Sequence, residues 1–290
     1  MWPLLVFYLA RAAGVNLTEL IMKILSKWLG FLALAAAAVA FSQPVLAQDS
    51  AVDTIKKRGK LQVGFATFVP WAMRDKQGKW VGFEIDVATK FAKDMGVELD
   101  LIPTAWDAII PSLIAGKFDV IIGGMTVTLA RKEQIDFTEA YSNSGLGVAA
   151  NKQLASNLKW PEGYNDAKVN FACRRGSTPC QYIEKTFPKA TLRQFDDQGV
   201  GYQEVINGNA HAFIGSEPLP SFKVLQNADK LFKPNSEAFE GGFEGMGLKK
   251  GGTATIKYFN DWIAKNQPWL KERHTYWFKT QDWVSLVPSP

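Results

Sequence analysis

From residue 60 onward, apolar positions alternate between short continuous runs and a repeat of three to four residues. Lys60-Leu61-Gln62-Val63-Gly64-Phe65-Ala66-Thr67 reads as a strand. Helical spacing follows over 83–95, where Ile85, Ala88, Phe91, Ala92 and Met95 share one face and Gly96 supplies the C-cap. A strand is predicted over 98–102, and then a helix over 109–115, capped by Asp107 and ended by Gly116. The β-branched run Phe118-Asp119-Val120-Ile121-Ile122 is a further strand, stopped by Gly123-Gly124. After Asn151 the pattern restarts, with strands over 169–173, 190–193 and 212–215 and helices over 178–187 and 201–207. Residues 245–249 read as one more strand, and 254–266 and 269–278 as closing helices. Strands alternating with helices imply an α/β fold with mainly parallel sheets.

One stretch nearly repeats. Residues 114–124 can be laid on residues 206–216, each reading helix, glycine turn, strand, then a glycine at the strand's carboxyl end. Ordinary β-α grammar produces such echoes by chance, so the repeat alone is weak. Ligands of open α/β sheets bind beyond the carboxyl ends of strands. Two similar lobes would therefore present Gly123-Gly124 and Gly215-Ser216 to each other across a cleft. The chain would cross between them near 145–149 and again near 241–247. This places residues 48–147 and 243–285 in lobe 1 and residues 148–242 in lobe 2.

Composition narrows the compartment. Met22-Lys23-Ile24-Leu25-Ser26-Lys27 is a basic n-region, residues 28–41 form an apolar h-region, and Val45-Leu46-Ala47 resembles a signal-peptidase site. Residues 1–47 are thus read as a signal peptide, with Met22 as the expected start, and the exported chain begins at Gln48. What remains is mildly basic, with its charges scattered, and shows no nucleic-acid motif. In an exported chain the pair Cys173 and Cys180 reads first as a disulfide; two buried thiols are the alternative. His211 and His274 have no ligand spacing to the cysteines, so neither a metal site nor a cofactor is expected.

Chemistry concentrates at Gly123-Gly124-Met125-Thr126-Val127-Thr128-Leu129-Ala130-Arg131. Glycines let backbone approach a ligand, threonines offer hydroxyl and N–H groups at a helix start, and Arg131 adds a planar fork that fits a carboxylate. The combination reads as a carboxylate clamp. The bland reading is a surface arginine paired with Glu133 or Asp136.

These residues, in order and spacing, resemble the family of periplasmic solute-binding proteins that serve polar amino-acid ABC importers, extracellular solute-binding family 3. The resemblance is carried by Gly59-Lys60-Leu61-Gln62-Val63-Gly64 and Gly82-Phe83-Glu84-Ile85-Asp86-Val87-Ala88. It continues in Trp106-Asp107-Ala108-Ile109-Ile110-Pro111-Ser112-Leu113, Gly116-Lys117-Phe118-Asp119, the 124–137 stretch and Tyr276-Trp277-Phe278. It implies a type II periplasmic binding protein fold: two lobes joined by two hinge crossings that close over a small solute. It also implies a periplasmic monomer that delivers an amino acid or related carboxylate to a membrane permease. The resemblance assigns the α-carboxylate to Arg131 and Thr126, and to Thr178 on the other lobe, with Gly124, Met125 and Ser177 as further ligand-site residues. Phe68 and Trp106 become wall candidates, with Trp71 as support.

The chain departs from the family where members that bind α-amino acids usually carry an aspartate for the ammonium. Here stands Ser216, followed by Glu217-Pro218. Glu217 could reach in from one residue along. Failing that, a cage of Phe68, Trp71 and Trp106 could favour a cation. The reading is a binding protein rather than an enzyme. Its rival is a cyclohexadienyl dehydratase-like enzyme on the same fold, whose acid would fall near the apolar Leu219.

Overall fold

The computed structural model describes residues 50–287 together with Met22. Apart from Met22, the signal-peptide reading of 1–47 lies outside those residues. Among them, no helix is long and apolar enough to cross a membrane.

Two sheets organise the chain. In the first, strand Lys60–Phe65 runs parallel to Glu98–Pro103 on one side and to Val120–Ile121 on the other. Gly247–Leu248 then returns antiparallel between Val120–Ile121 and Asp136–Phe137. In the second sheet, Asn170–Arg174 lies parallel to both Ala212–Ser216 and Thr191–Phe195. The sheets are therefore mixed, with parallel centres and antiparallel returns. Each predicted strand exists, but several are shorter or shifted by a residue or two. The 118–122 run forms a ladder only at Val120–Ile121, and 190–193 becomes Thr191–Phe195.

The strands that join the two sheets are longer than the periodicity suggests. Ser142–Asn151 spans ten residues and pairs antiparallel with Ala212–Ser216, Leu231–Phe232 and Phe239–Glu244. Its early residues face Phe239–Glu244, with Ser142 opposite Glu244 and Ser144 opposite Gly242. The two crossings are thus one two-stranded ribbon.

Helices cover the sheets through apolar faces. Phe91, on helix Phe83–Met95, meets Phe259 at 4.4 Å and Trp262 at 4.9 Å between ring centroids, both on helix Thr253–Lys265. Helix Gln267–Lys279 docks on the same partner through Asp86, which accepts from Arg273 Nε at 2.9 Å and from Trp277 Nε1 at 2.7 Å. These residues stand one turn apart, so a single face carries both donors. A separate core of Tyr164, Phe171, Phe187, Val148 and Ile214 fills the second lobe. Asp107 does not cap the next helix. It sits inside the 3-10 turn Trp106–Ala108, and Ala108 occupies the cap position of Ile109–Ile114.

Candidate functional site

The carboxyl ends of both sheets meet at one pocket. The 114–124 and 206–216 echo is realised there: Gly124 lines it from the first lobe, and Gly215 and Ser216 line it from the second. Gly124 has a φ of +65°, and a Cβ at that position would lie 2.6 Å from Trp71 Cδ1. Only glycine fits both the turn and the indole behind it.

Arg131 comes from the short helix Leu129–Gln134, whose cap is Thr128; the Thr128 hydroxyl accepts from the Arg131 N–H at 3.3 Å. Thr128 is thus used in holding the helix start, while Thr126 lines the pocket. The guanidinium donates from Nη1 to the Thr126 carbonyl at 2.8 Å. From Nη2 it reaches the Gly176 carbonyl of the second lobe at 3.3 Å. The bland reading of a solvated ion pair is overturned. Arg131 is buried, and neither Glu133 nor Asp136 pairs with it among the described residues.

On the second lobe a disulfide joins Cys173 to Cys180, with Cα atoms 5.5 Å apart. It closes the turn that carries Ser177 and Thr178, both of which line the pocket. Ser177 occupies the cap position of helix Thr178–Thr186, yet its hydroxyl makes no capping bond to that helix. The first-turn donors of a helix lack partners within it, so this end faces the pocket with unused hydrogen-bonding capacity.

Sequence reasoning misses Arg174. Periodicity ends the strand at Cys173 and assigns Arg174 to the loop. In the structure it is the last residue of Asn170–Arg174, at the carboxyl end where α/β sheets bind ligands. It lines the pocket and is only 5% exposed. Its Cζ lies 4.2 Å from the Trp106 ring centroid and 4.8 Å from that of Phe68. The aromatic cage considered for a ligand cation is therefore filled by the protein's own cation. Gln198, the buried first residue of helix Gln198–Ile206, also lines the pocket and has no sequence signal.

Met125 and Glu217 stand away from the pocket, and Trp71 backs its wall rather than lining it. Trp71 is fully buried behind Phe68, stacked at 3.8 Å, and donates to Glu244 at 3.4 Å. Met125 packs into the core beside Trp106 and Ile109, because backbone pairing of 125–127 with 243–245 turns its side chain inward. Glu217 does not reach the cleft. Neighbouring residues along a strand face opposite ways, and Glu217 turns to accept from Lys233 Nζ at 2.7 Å and from the Ser221 N–H at 3.2 Å.

The pocket is electrostatically one-sided. Among the described residues, no carboxylate lines it, and neither Arg131 nor Arg174 makes an ion pair. Burial lowers Arg131 to about 10. Burial lowers Arg174 to about 9, helped by Arg131 nearby and opposed by Asp197. Both remain cations at neutral pH. The arrangement suits an anion.

Comparisons with known proteins bear on the family and the fold. Residues 61–280 match the bacterial extracellular solute-binding proteins, family 3. The L-cystine-binding protein TcyJ of Escherichia coli (strain K12) is 29% identical over 222 residues, covering 76% of this chain and 82% of the relative. The cyclohexadienyl dehydratase of Pseudomonas aeruginosa is 25% identical over 267 residues, covering 85% and 93%. A putative ABC-transporter binding component from Wolinella succinogenes, solved with lysine, superposes with a TM-score of 0.73 at 30% identity, covering 78% and 99%.

Proposed function

The chain belongs to the bacterial extracellular solute-binding proteins, family 3, with the type II periplasmic binding fold, and on that premise we propose that it captures a small carboxylate-bearing solute. The solute is an amino acid or a close relative, taken up in the periplasm and passed to the membrane permease of an ABC importer. Lobe 1 comprises 48–147 and 243–285, lobe 2 comprises 148–242, and the ribbon of Ser142–Asn151 with Phe239–Glu244 is the hinge. Binding shifts an open-closed equilibrium, because the closed form alone brings contacts from both lobes onto the ligand. Arg131 is the anchor, with Thr126, Ser177 and Thr178 around it.

The observation that carries this reading is the buried, unpaired guanidinium of Arg131 spanning the two lobes. The dehydratase relative supplies the second reading. Two features favour capture over that chemistry: Leu219 is buried in the core, and Glu217, the adjacent carboxylate, is committed to Lys233. A thermal-shift panel of amino acids, their decarboxylated amines and simple dicarboxylates tests the proposal, since a ligand of the native state raises apparent stability. Carboxylates should raise Tm and the matching amines should not. Equal shifts from the amines would remove the clamp. Turnover of prephenate or arogenate by the purified protein would favour the enzyme.

A further inference from the structure

Arg174 is a buried cation that a single-carboxylate clamp leaves unused. The Arg174 Cζ sits over the rings of Phe68 and Trp106, and these ring contacts supply no hydrogen-bond acceptor to its N–H groups. Its Nε and Nη1 are buried, and neither has a hydrogen-bond partner. A buried charge without acceptors is costly, and the cost is repaid when an anion supplies them. Asp197 does not do so. It is exposed, and its carboxylate accepts from the Val200 N–H at 3.2 Å as the cap of the next helix.

Arg131 and Arg174 lie against the same indole, that of Trp106, on opposite lobes. A solute with one carboxylate would satisfy Arg131 and leave Arg174 bare. A solute with a basic side chain would bring a third positive charge into a pocket that no carboxylate lines. We propose that Arg174 forms a second anion subsite and that the solute is a small dicarboxylate, with one carboxylate on Arg131 and the other on Arg174. This rests on reading the pocket as the carboxylate-binding site. Ser216 offers no carboxylate to a ligand ammonium, and Arg174 supplies a charge of the opposite sign in the same pocket.

Calorimetric titration of the exported chain with succinate, glutarate, adipate, glutamate, glutamine, arginine and lysine tests it. At least one dicarboxylate should bind roughly 10- to 100-fold more tightly than glutamine, the span of one charge-assisted hydrogen-bonding contact. Arginine and lysine should bind more weakly than glutamine. R174Q should erase the advantage of the dicarboxylate over glutamine, and R174K, which keeps the charge without the fork, should restore part of it. Should R174Q fail to fold, the affinities of the natural protein decide alone. Glutamine, arginine or lysine binding as tightly as every dicarboxylate would overturn the second subsite and leave the clamp standing. If no compound carrying a carboxylate binds, clamp and subsite fall together.

Discussion

Arg131, from the first lobe, has its guanidinium tied by two backbone carbonyls, at 2.8 Å to Thr126 and 3.3 Å to Gly176. Arg174, from the second lobe, is gripped by two aromatic rings and has two nitrogens with no acceptor at all. A carbonyl-held fork is preset in direction, because main-chain atoms fix where its donors aim. A guanidinium held by rings keeps its hydrogen-bonding capacity for something that arrives. The first lobe thus offers position and the second offers unsatisfied demand. On the proposed reading, a ligand that closes the cleft has to answer both.

Removing the preset fork should have the largest effect. Arg131→Ala should weaken every carboxylate by roughly 30- to 4,000-fold, the range for truncating one partner of a buried charged contact. The ligand-free protein should keep its fold, since the removed side chain is itself a desolvated charge with no ion pair. Calorimetry for affinity and a melting curve for stability check the two halves of this outcome. Loss of affinity only for dicarboxylates would exchange the roles of the two arginines.

The contrast between the two arginines also explains what the sequence discloses. The first-lobe clamp is legible because glycines, threonines and an arginine crowd into nine consecutive residues after a strand, and local chemistry of that kind survives folding. Its partner turn at Gly176–Thr178 is legible from the cysteines that bracket it. Arg174 is not, because its place in the pocket depends on where a strand ends and on rings brought from residues 68 and 106. A strand end moved by one residue turns a pocket cation into a loop residue. Glu217 fails for a related reason. The periodicity that puts Ser216 toward the pocket sends Glu217 to Lys233, and only strand pairing fixes which of the two faces in. The hinge is expected as two crossings, but its pairing as one ribbon needs the register of Ser142–Asn151 against Phe239–Glu244.

A new acid in the second lobe's half should sharpen the contrast more gently. Ser216→Asp places a carboxylate in a pocket that has none and so answers part of the demand of Arg174 from within. Glutamate should fall about 10-fold in affinity while glutamine gains, a change near 1.4 kcal/mol for each tenfold step. The ratio of the two affinities, before and after substitution, is the measurement. An unchanged ratio would mean that Ser216 faces neither the ammonium nor the second subsite.

The smallest effect belongs behind the aromatic wall, where the charge pattern inverts. In front of Phe68 stand two arginines without acids; behind Trp71 stand Glu84 and Glu244, both buried and neither with a basic partner among the described residues. Glu244, on the hinge strand, accepts from Ser142, from Ser144 at 2.7 Å and from Trp71 at 3.4 Å. Glu84 accepts from Tyr141 at 2.7 Å and leaves Oε1 unpartnered. Burial first, and then repulsion from Glu244, holds Glu84 well above its usual value of 4.5, and burial raises Glu244 as well. A raised value means the folded protein keeps the proton that the unfolded chain gives up. The associated stability is complete below about pH 4.5 and is lost as pH climbs through the raised values. The arginines stay charged across that window, so the hinge should respond to pH while the clamp does not. Glu84→Gln, neutral at every pH, should raise Tm by an amount on the order of 2 °C at pH 8 and leave it nearly unchanged at pH 4. An equal shift at both pH values would show that packing, not the proton, sets the difference, and that Glu84 is ionised in the folded hinge.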